Sequence, residues 1–282
     1  MNEHFSSVWT REPRTTRSPA LGREQIVRAA MTLLDSEGPD ALSMRRLGAK
    51  LGSGATSIYW YVANKDELLE LVLDEVYGEF DVPDVDETTW RNVAASFAYG
   101  MRHALTRHPW VIGLVGCTPA LGPNAMRMMG RLVTTFDRAG FRGLDQDYAA
   151  SALMSYVIGV TTPELSWRNM LERTGLDSNG MNAAIQPVVE KAAADHPELA
   201  ARYAEFRGMD VETARALNFE FGLTCLLDGL EARLERESSP RTDPPAAPPS
   251  RPRARRRPAP RPGPGATGPA GDEPPADRPA AR

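Results

Sequence analysis

The sequence predicts an all-helical protein. Nearly every segment between residues 23 and 237 repeats its apolar residues at steps of three and four, and no run alternates with the two-residue period of a strand. Gly, Ser and Asn also stand where helices with that period would start and stop. With 282 residues, 41% hydrophobic and 25% charged, the chain can bury a substantial core in one or two domains.

A first helix is expected over Arg23 to Glu37, burying Ile26, Ala30, Leu33 and Leu34 and ending at Gly38, a residue that takes positive φ without strain. Ser43 is placed to cap a second, short helix, MRRLGAKL, that stops at Gly52, and a third follows from Ala55 to Val62. Two short helices separated by a Gly-containing turn form a helix-turn-helix candidate. Asn64 caps a fourth helix, with Glu67 three residues on as in a capping box. Further helices are expected over Trp90 to Arg107, Asn124 to Ala139, Asp145 to Thr161, Met181 to Ala194 and Val211 to Glu237. Two of these carry long apolar stripes, one made of Tyr148, Ala152, Tyr156 and Val160, the other of Phe219, Leu223, Leu226, Leu227, Leu230 and Leu234. Each stripe suits either an internal core or a subunit interface.

The net charge of -4 conceals a division along the chain. Residues 1 to 65 hold 9 Lys/Arg against 6 Asp/Glu, residues 66 to 239 hold 15 against 27, and residues 240 to 282 hold 9 against 4. A small basic head on an acidic body directs a polyanion to the head. In the last segment 14 residues are proline, so it lacks the apolar area to fold, and residues 238–282 are expected to be a disordered Pro/Arg-rich tail. Residues 1–21, with Arg11, Arg14 and Arg17, are expected to be a flexible arm. The apolar run from Tyr148 to Val160 is too short to span a bilayer, and MNEHFSSVWTREPRTTR lacks a secretory signal's apolar segment, so a cytoplasmic protein without membrane contact is expected. Cys117 and Cys225 lie in apolar helical patterns and are expected to be buried free thiols.

Residues 57 to 69, SIYWYVANKDELL, place three aromatic rings in succession, and a helix cannot turn all three to one core. In order along the chain, AAMTLLDSEGPDALSMRRLGAKLGSGATSIYWYVANKDELL resembles the DNA-binding domain of the tetracycline repressor (TetR) family of bacterial transcription regulators. Trp90 with RHAL at 102 to 105, and FEFGLTCLLDGLEARL at 219 to 234, are similar to the regulatory domain of the tetracycline repressor itself. The resemblance covers residues 22 to 237. It implies a head at residues 22–68, a helical regulatory and dimerisation domain at 69–237, a homodimer, double-stranded operator DNA as partner, and a small-molecule effector that releases a repressor.

The DNA-facing set that follows from the resemblance is Ser43, Met44, Arg45, Ala55, Thr56, Ser57, Tyr59, Trp60, Tyr61 and Lys65. The third helix would enter the major groove, with Tyr59, Tyr61 and Lys65 against the backbone and Arg45 offering a fork to guanine O6 and N7. Leu47 and Ile58 read instead as the packing between the two helices. Ala55 replaces a long amide side chain that reads a base in the tetracycline repressor, so the operator sequence does not carry over.

The magnesium-binding histidine of that protein falls at Val115 or Leu114 here, neither a ligand, so neither a metal nor a cofactor is expected. The residues around it are apolar: Phe97, Met101, Trp110, Leu114, Met126, Met129, Met154 and Trp167, with Thr118 and Glu164 as nearby oxygen donors. They suit an apolar, ring-containing effector, and equally an ordinary core. A regulator without an effector is one alternative; an enzyme using His103 and His108 is another, but their spacing of five places them on poorly matched faces and no nucleophile motif accompanies them.

Overall fold

The computed structural model describes residues 7–10, 22–205 and 209–238, and all regular structure among them is helical. In the head, α1 (Arg23–Glu37) buries Ile26, Val27, Ala30, Met31, Leu33 and Leu34 along one face, and a 3-10 turn (Pro39–Ala41) leads to α2 (Met44–Lys50). Ser43 Oγ accepts the Arg46 N–H at 3.2 Å, satisfying one of the donors that a helix start leaves open. The third helix, α3 (Ala55–Ile58), is shorter than the periodicity predicts. Beyond Ile58 the chain turns, with Tyr61 N–H reaching back to the Ile58 carbonyl at 2.8 Å, so Tyr59 to Tyr61 occupy a turn. Ile58 and Val62, four residues apart and both fully buried, hold the two ends of this turn on one inner face.

Helix α4 (Lys65–Tyr77) links the head to the rest of the chain and runs through the 68/69 boundary expected from sequence. Asn64 Oδ1 accepts the Glu67 N–H at 2.8 Å, while Glu67 Oε2 accepts from Ala63 N–H at 2.7 Å, one residue before the position a regular capping box uses.

The remaining helices are α5 (Trp90–Arg107), α6 (Pro123–Ala139), α7 (Leu144–Thr174), α8 (Ser178–Ala192), α9 (Pro197–Glu205) and α10 (Val211–Ser238), with a 3-10 turn (Pro109–Gly113) after α5. Helix α5 packs against α6, α7 and α10, and α4 against α1 and α6. Helix α7 runs thirteen residues past its expected end, through Pro163. Proline removes one ladder bond, but Glu164 and Leu165 just beyond it are buried, and that tertiary packing keeps the helix going. The buried face of α7 is Ala149, Leu153, Val157, Thr161 and Leu165, whereas Tyr148 of the expected stripe is 61% exposed. On α10, Phe219, Leu223 and Leu227 are buried, while Leu226, Leu230 and Leu234 are half-buried against the same core. Both cysteines are free but exposed, correcting the expected burial: each stands on the outer side of its segment while its apolar neighbours turn inward.

The expected arm at residues 1–21 is described only at residues 7–10, and there it is docked. Val8 is buried, Trp9 packs on the core, and Glu70 of α4, itself 4% exposed, accepts hydrogen bonds from the Ser7 hydroxyl and from Val8 N–H at 3.2 Å. Arg11, Arg14, Arg17 and the Pro/Arg-rich tail lie outside the described residues. Because a buried carboxylate needs its donors, Ser7→Ala is expected to lower unfolding free energy by about 1–3 kcal/mol. Urea denaturation monitored by circular dichroism measures it, and an unchanged midpoint would refute the docked geometry.

Candidate nucleic-acid interface and effector region

The turn between α2 and α3 depends on two glycines. A Cβ at Gly48 would lie 2.9 Å from the Ser53 carbonyl oxygen and 3.0 Å from Ala55 N, so the α2 backbone approaches the turn as only glycine allows. Gly52 has φ of +64°, the left-handed conformation that reverses the chain. Ser53 N–H then bonds the Gly48 carbonyl at 2.9 Å. Leu47 and Ile58, both fully buried, fill the angle between the two helices, each worth about 1.5–3 kcal/mol of apolar burial.

With those inner faces closed, the outer surface carries Ser43, Arg45 and Thr56, all exposed, with Ala55 and Ser57 half-buried. Trp60 is 62% exposed and Tyr59 44%, while Tyr61 packs partly on the core. Three adjacent rings are thus divided between core and solvent. Met44 does not belong to this surface. It is buried with Leu47 on the core side of α2, and its expected DNA-facing position is corrected. Lys65 opens α4 as an exposed side chain whose ammonium donates to the Pro39 carbonyl at 3.3 Å, which draws the 3-10 turn and the start of α4 together. Arg46, beside Arg45, is paired with Glu37 at the end of α1.

Two polar junctions connect the head to the helices behind it. The Asp74 carboxylate on α4 accepts the first N–H groups of α6, from Ala125 at 2.9 Å and Asn124 at 3.1 Å, where the helix dipole favours negative charge. Asn124 returns a bond to the Asp74 carbonyl at 3.0 Å. At the second junction Trp110 Nε1 donates to Asp35 Oδ1 of α1 at 2.7 Å, and His108 lies against the same carboxylate. His103, the other histidine of the catalytic alternative, is exposed.

The residues expected to surround an effector are not all brought together. Phe97, Met101 and Trp110 are buried in the core, and Leu114, Thr118, Met129, Met154 and Trp167 are half-buried. Met126 faces away. It is 49% exposed and lines a surface cleft of about 310 Å³ with Arg127, Arg131 and Arg138, since α6 turns Ala125, Met128 and Leu132 inward instead. Glu164 is 7% exposed and is held by Arg102 at 3.0 Å and Arg168 at 3.8 Å, so its oxygens are engaged within the chain. Arg102 also stacks over the Phe219 ring at 4.8 Å. Nearby, Tyr99 donates to Glu220, which raises the phenol to about 12, with burial adding to the effect. Thr161 Oγ1 and Trp167 Nε1, both on α7, are buried without a hydrogen-bond partner. Periodicity could not reveal these two; an unmatched polar atom is defined only by its neighbours. Among the described residues no cluster of His, Cys, Asp and Glu is arranged to hold a metal ion. None of the helices among them is long and apolar enough to cross a membrane.

Two compact helices set around a glycine turn, with basic and aromatic side chains on their outer face, define a helix-turn-helix regulator of transcription. Residues 26–72 match the family model for bacterial regulatory proteins of the tetR family, and residues 82–234 match the tetracyclin repressor-like C-terminal domain; the chain belongs to this family of DNA-binding regulators and is not an enzyme. It is 36% identical over 198 residues to an HTH-type transcriptional regulator of Saccharopolyspora erythraea, covering 70% of this chain and 81% of that one. It is 34% identical over 236 residues to the HTH-type transcriptional repressor DrrR1 of Streptomyces coeruleorubidus, covering 82% and 86%. Among solved structures it resembles apo ActR of Streptomyces coelicolor, with TM-score 0.66 and 26% identity over 78% of this chain and 100% of that one. ActR in complex with actinorhodin gives TM-score 0.63 and 27% identity, over 76% and 98%.

Proposed function

We propose that this regulator is a homodimeric repressor that grips a palindromic operator and lets go when an apolar, ring-containing small molecule enters its helical domain. The carrying observation is the outer face of the head, where Arg45, Thr56, Tyr59, Trp60 and Lys65 reach solvent beside a turn whose inner face is fully packed. Rings and hydroxyls at 59 to 61 suit sugar and phosphate, Lys65 suits a phosphate at the start of α4, and the Arg45 fork suits a guanine edge. DrrR1 is named a repressor, and ActR has been solved with actinorhodin bound, which supports repression and small-molecule control.

The effector reading rests on α7. Thr161 and Trp167 each bury a polar group with nothing to bond, on a helix that packs against α5, where Phe97 and Met101 are buried. A ring-bearing molecule with hydrogen-bond acceptors for that hydroxyl and that indole N–H satisfies both without a metal. Linkage requires it to bind the DNA-free form more tightly than the DNA-bound form. Dimerisation is assigned to α7 and α10, which pack on one another and leave Tyr148, Leu217 and Phe221 facing outward, Phe221 at 73% exposure. Exposed rings on long helices call for a covering surface, here the same helices of a second copy.

Operator selection from a random library, followed by titration, tests the DNA assignment. Tyr59→Ala and Lys65→Ala are expected to weaken selected and random DNA nearly equally, whereas Arg45→Ala relaxes preference at one base pair per half-site by about 1–3 kcal/mol. A uniform loss for Arg45→Ala would move it to the phosphate-contacting group. Sedimentation of the Phe221→Glu/Tyr148→Glu protein should show folded monomers without operator affinity; a folded dimer would remove the interface. Calorimetry with tetracycline and magnesium is expected to show no uptake, and magnesium-dependent binding that frees operator DNA would overturn the metal-free effector.

A further inference from the structure

The ring of His108 joins segments that are far apart in sequence. Its side chain is 3% exposed, with Nδ1 2.6 Å from Asp35 Oδ1 and Nε2 3.0 Å from Glu79 Oε2. Asp35 lies in the last turn of α1, Glu79 two residues beyond the end of α4, and His108 between α5 and the 3-10 turn. Trp110 Nε1 donates to the same Asp35 oxygen, its ring 5.7 Å from the imidazole, and the Arg107 guanidinium lies 3.6 Å from Glu79. The charges are sorted by segment: one carboxylate lies in the last turn of α1 and the other follows α4, and the donors come from the end of α5 and the 3-10 turn after it. A ring protonated on both nitrogens satisfies both carboxylates, whereas a neutral ring donates to only one. The imidazole is buried although Asp35 and Glu79 reach solvent, so displacing any one segment costs the hydrogen bond it shares with the ring.

We propose that His108 is the joint through which the regulatory helices set the position of the DNA-reading head. It is a positioning residue, and the inference rests on the ligand-released reading above. The 3-10 turn continues α5 and also packs on α7, the helix bearing the unmatched Thr161 and Trp167, so a displacement of either helix moves the imidazole and draws Asp35 with it. Asp35 lies in the last turn of α1, the helix on which α2 packs. The second attachment, Asp74 to the start of α6, holds α4 separately. A head fixed at two points, on α1 and on α4, rotates when one point moves and the other does not, and rotation changes the distance between the reading surfaces of two subunits.

Hydrogen exchange with and without operator tests the joint in the full-length protein, using DNA selected by the wild type from a random library. Saturating operator is expected to slow exchange across residues 109–115 by about fivefold or more, the low end of typical site-to-site coupling. In His108→Gln this DNA-dependent difference should fall below about twofold. A purely structural role would instead raise exchange with and without DNA and leave the difference intact. Trp110→Phe retains a ring and deletes only the N–H, so it tests the same joint should His108→Gln fail to fold; partial loss is expected. Wild-type protein that binds operator with no change at 109–115 overturns the proposal, as does a folded His108→Gln or Trp110→Phe protein retaining the full difference. The readout is DNA, so its failure leaves effector release standing, whereas a failure to find any releasing molecule leaves the joint measurable.

Discussion

Glu67, Glu70 and Asp74 lie on one side of α4 at spacings of three and four, and all three carboxylates are buried. Removing a carboxylate from water is costly unless donors replace the lost hydration, so each fixes whatever supplies those donors. Glu67 takes the N–H of Ala63 and so sets the turn out of α3. Glu70 takes the Ser7 hydroxyl and the N–H of Val8, and pins the N-terminal segment. Asp74 takes the first N–H groups of α6. One helix therefore orients the DNA-reading turn, the N-terminal segment and the first turn of α6.

This arrangement gives the acidic body and the basic head different physical tasks. The head carries its cations on the outside, where a phosphate backbone can neutralise them, while Glu67, Glu70 and Asp74 of α4 are turned inward and take internal donors. The Arg102 and Glu164 pair shows the same economy between α5 and α7, with the guanidinium also lying over Phe219 of α10. In such a body, polar groups left without partners stand out, and Thr161 and Trp167 are two of them.

Much of the head was legible in the sequence, because its determinants are local. A cap such as Ser43 or Asn64 acts within three residues, Gly52 is selected by its own φ, and the period of Ile26, Ala30, Leu33 and Leu34 marks a helix face. Position within a face was harder to read. Met44 and Arg45 are neighbours at the start of α2, and only the packing of that helix on the core decides that the first is buried and the second is not. Met126 and Met128 are separated in the same way on α6, as Tyr148 and Ala149 are on α7.

The sequence by itself determined the helical class, the caps and turn of the head, the division of charge and the family, since each depends on residues close together or on composition. Tertiary structure alone decided where α7 ends, which of the expected effector residues face inward, and that Ser7 and Val8 meet Glu70 across more than sixty positions. It also decided that His108 joins Asp35 to Glu79. Those outcomes depend on which donor reaches which buried acceptor, a matter of distance in space that no local pattern along the chain encodes.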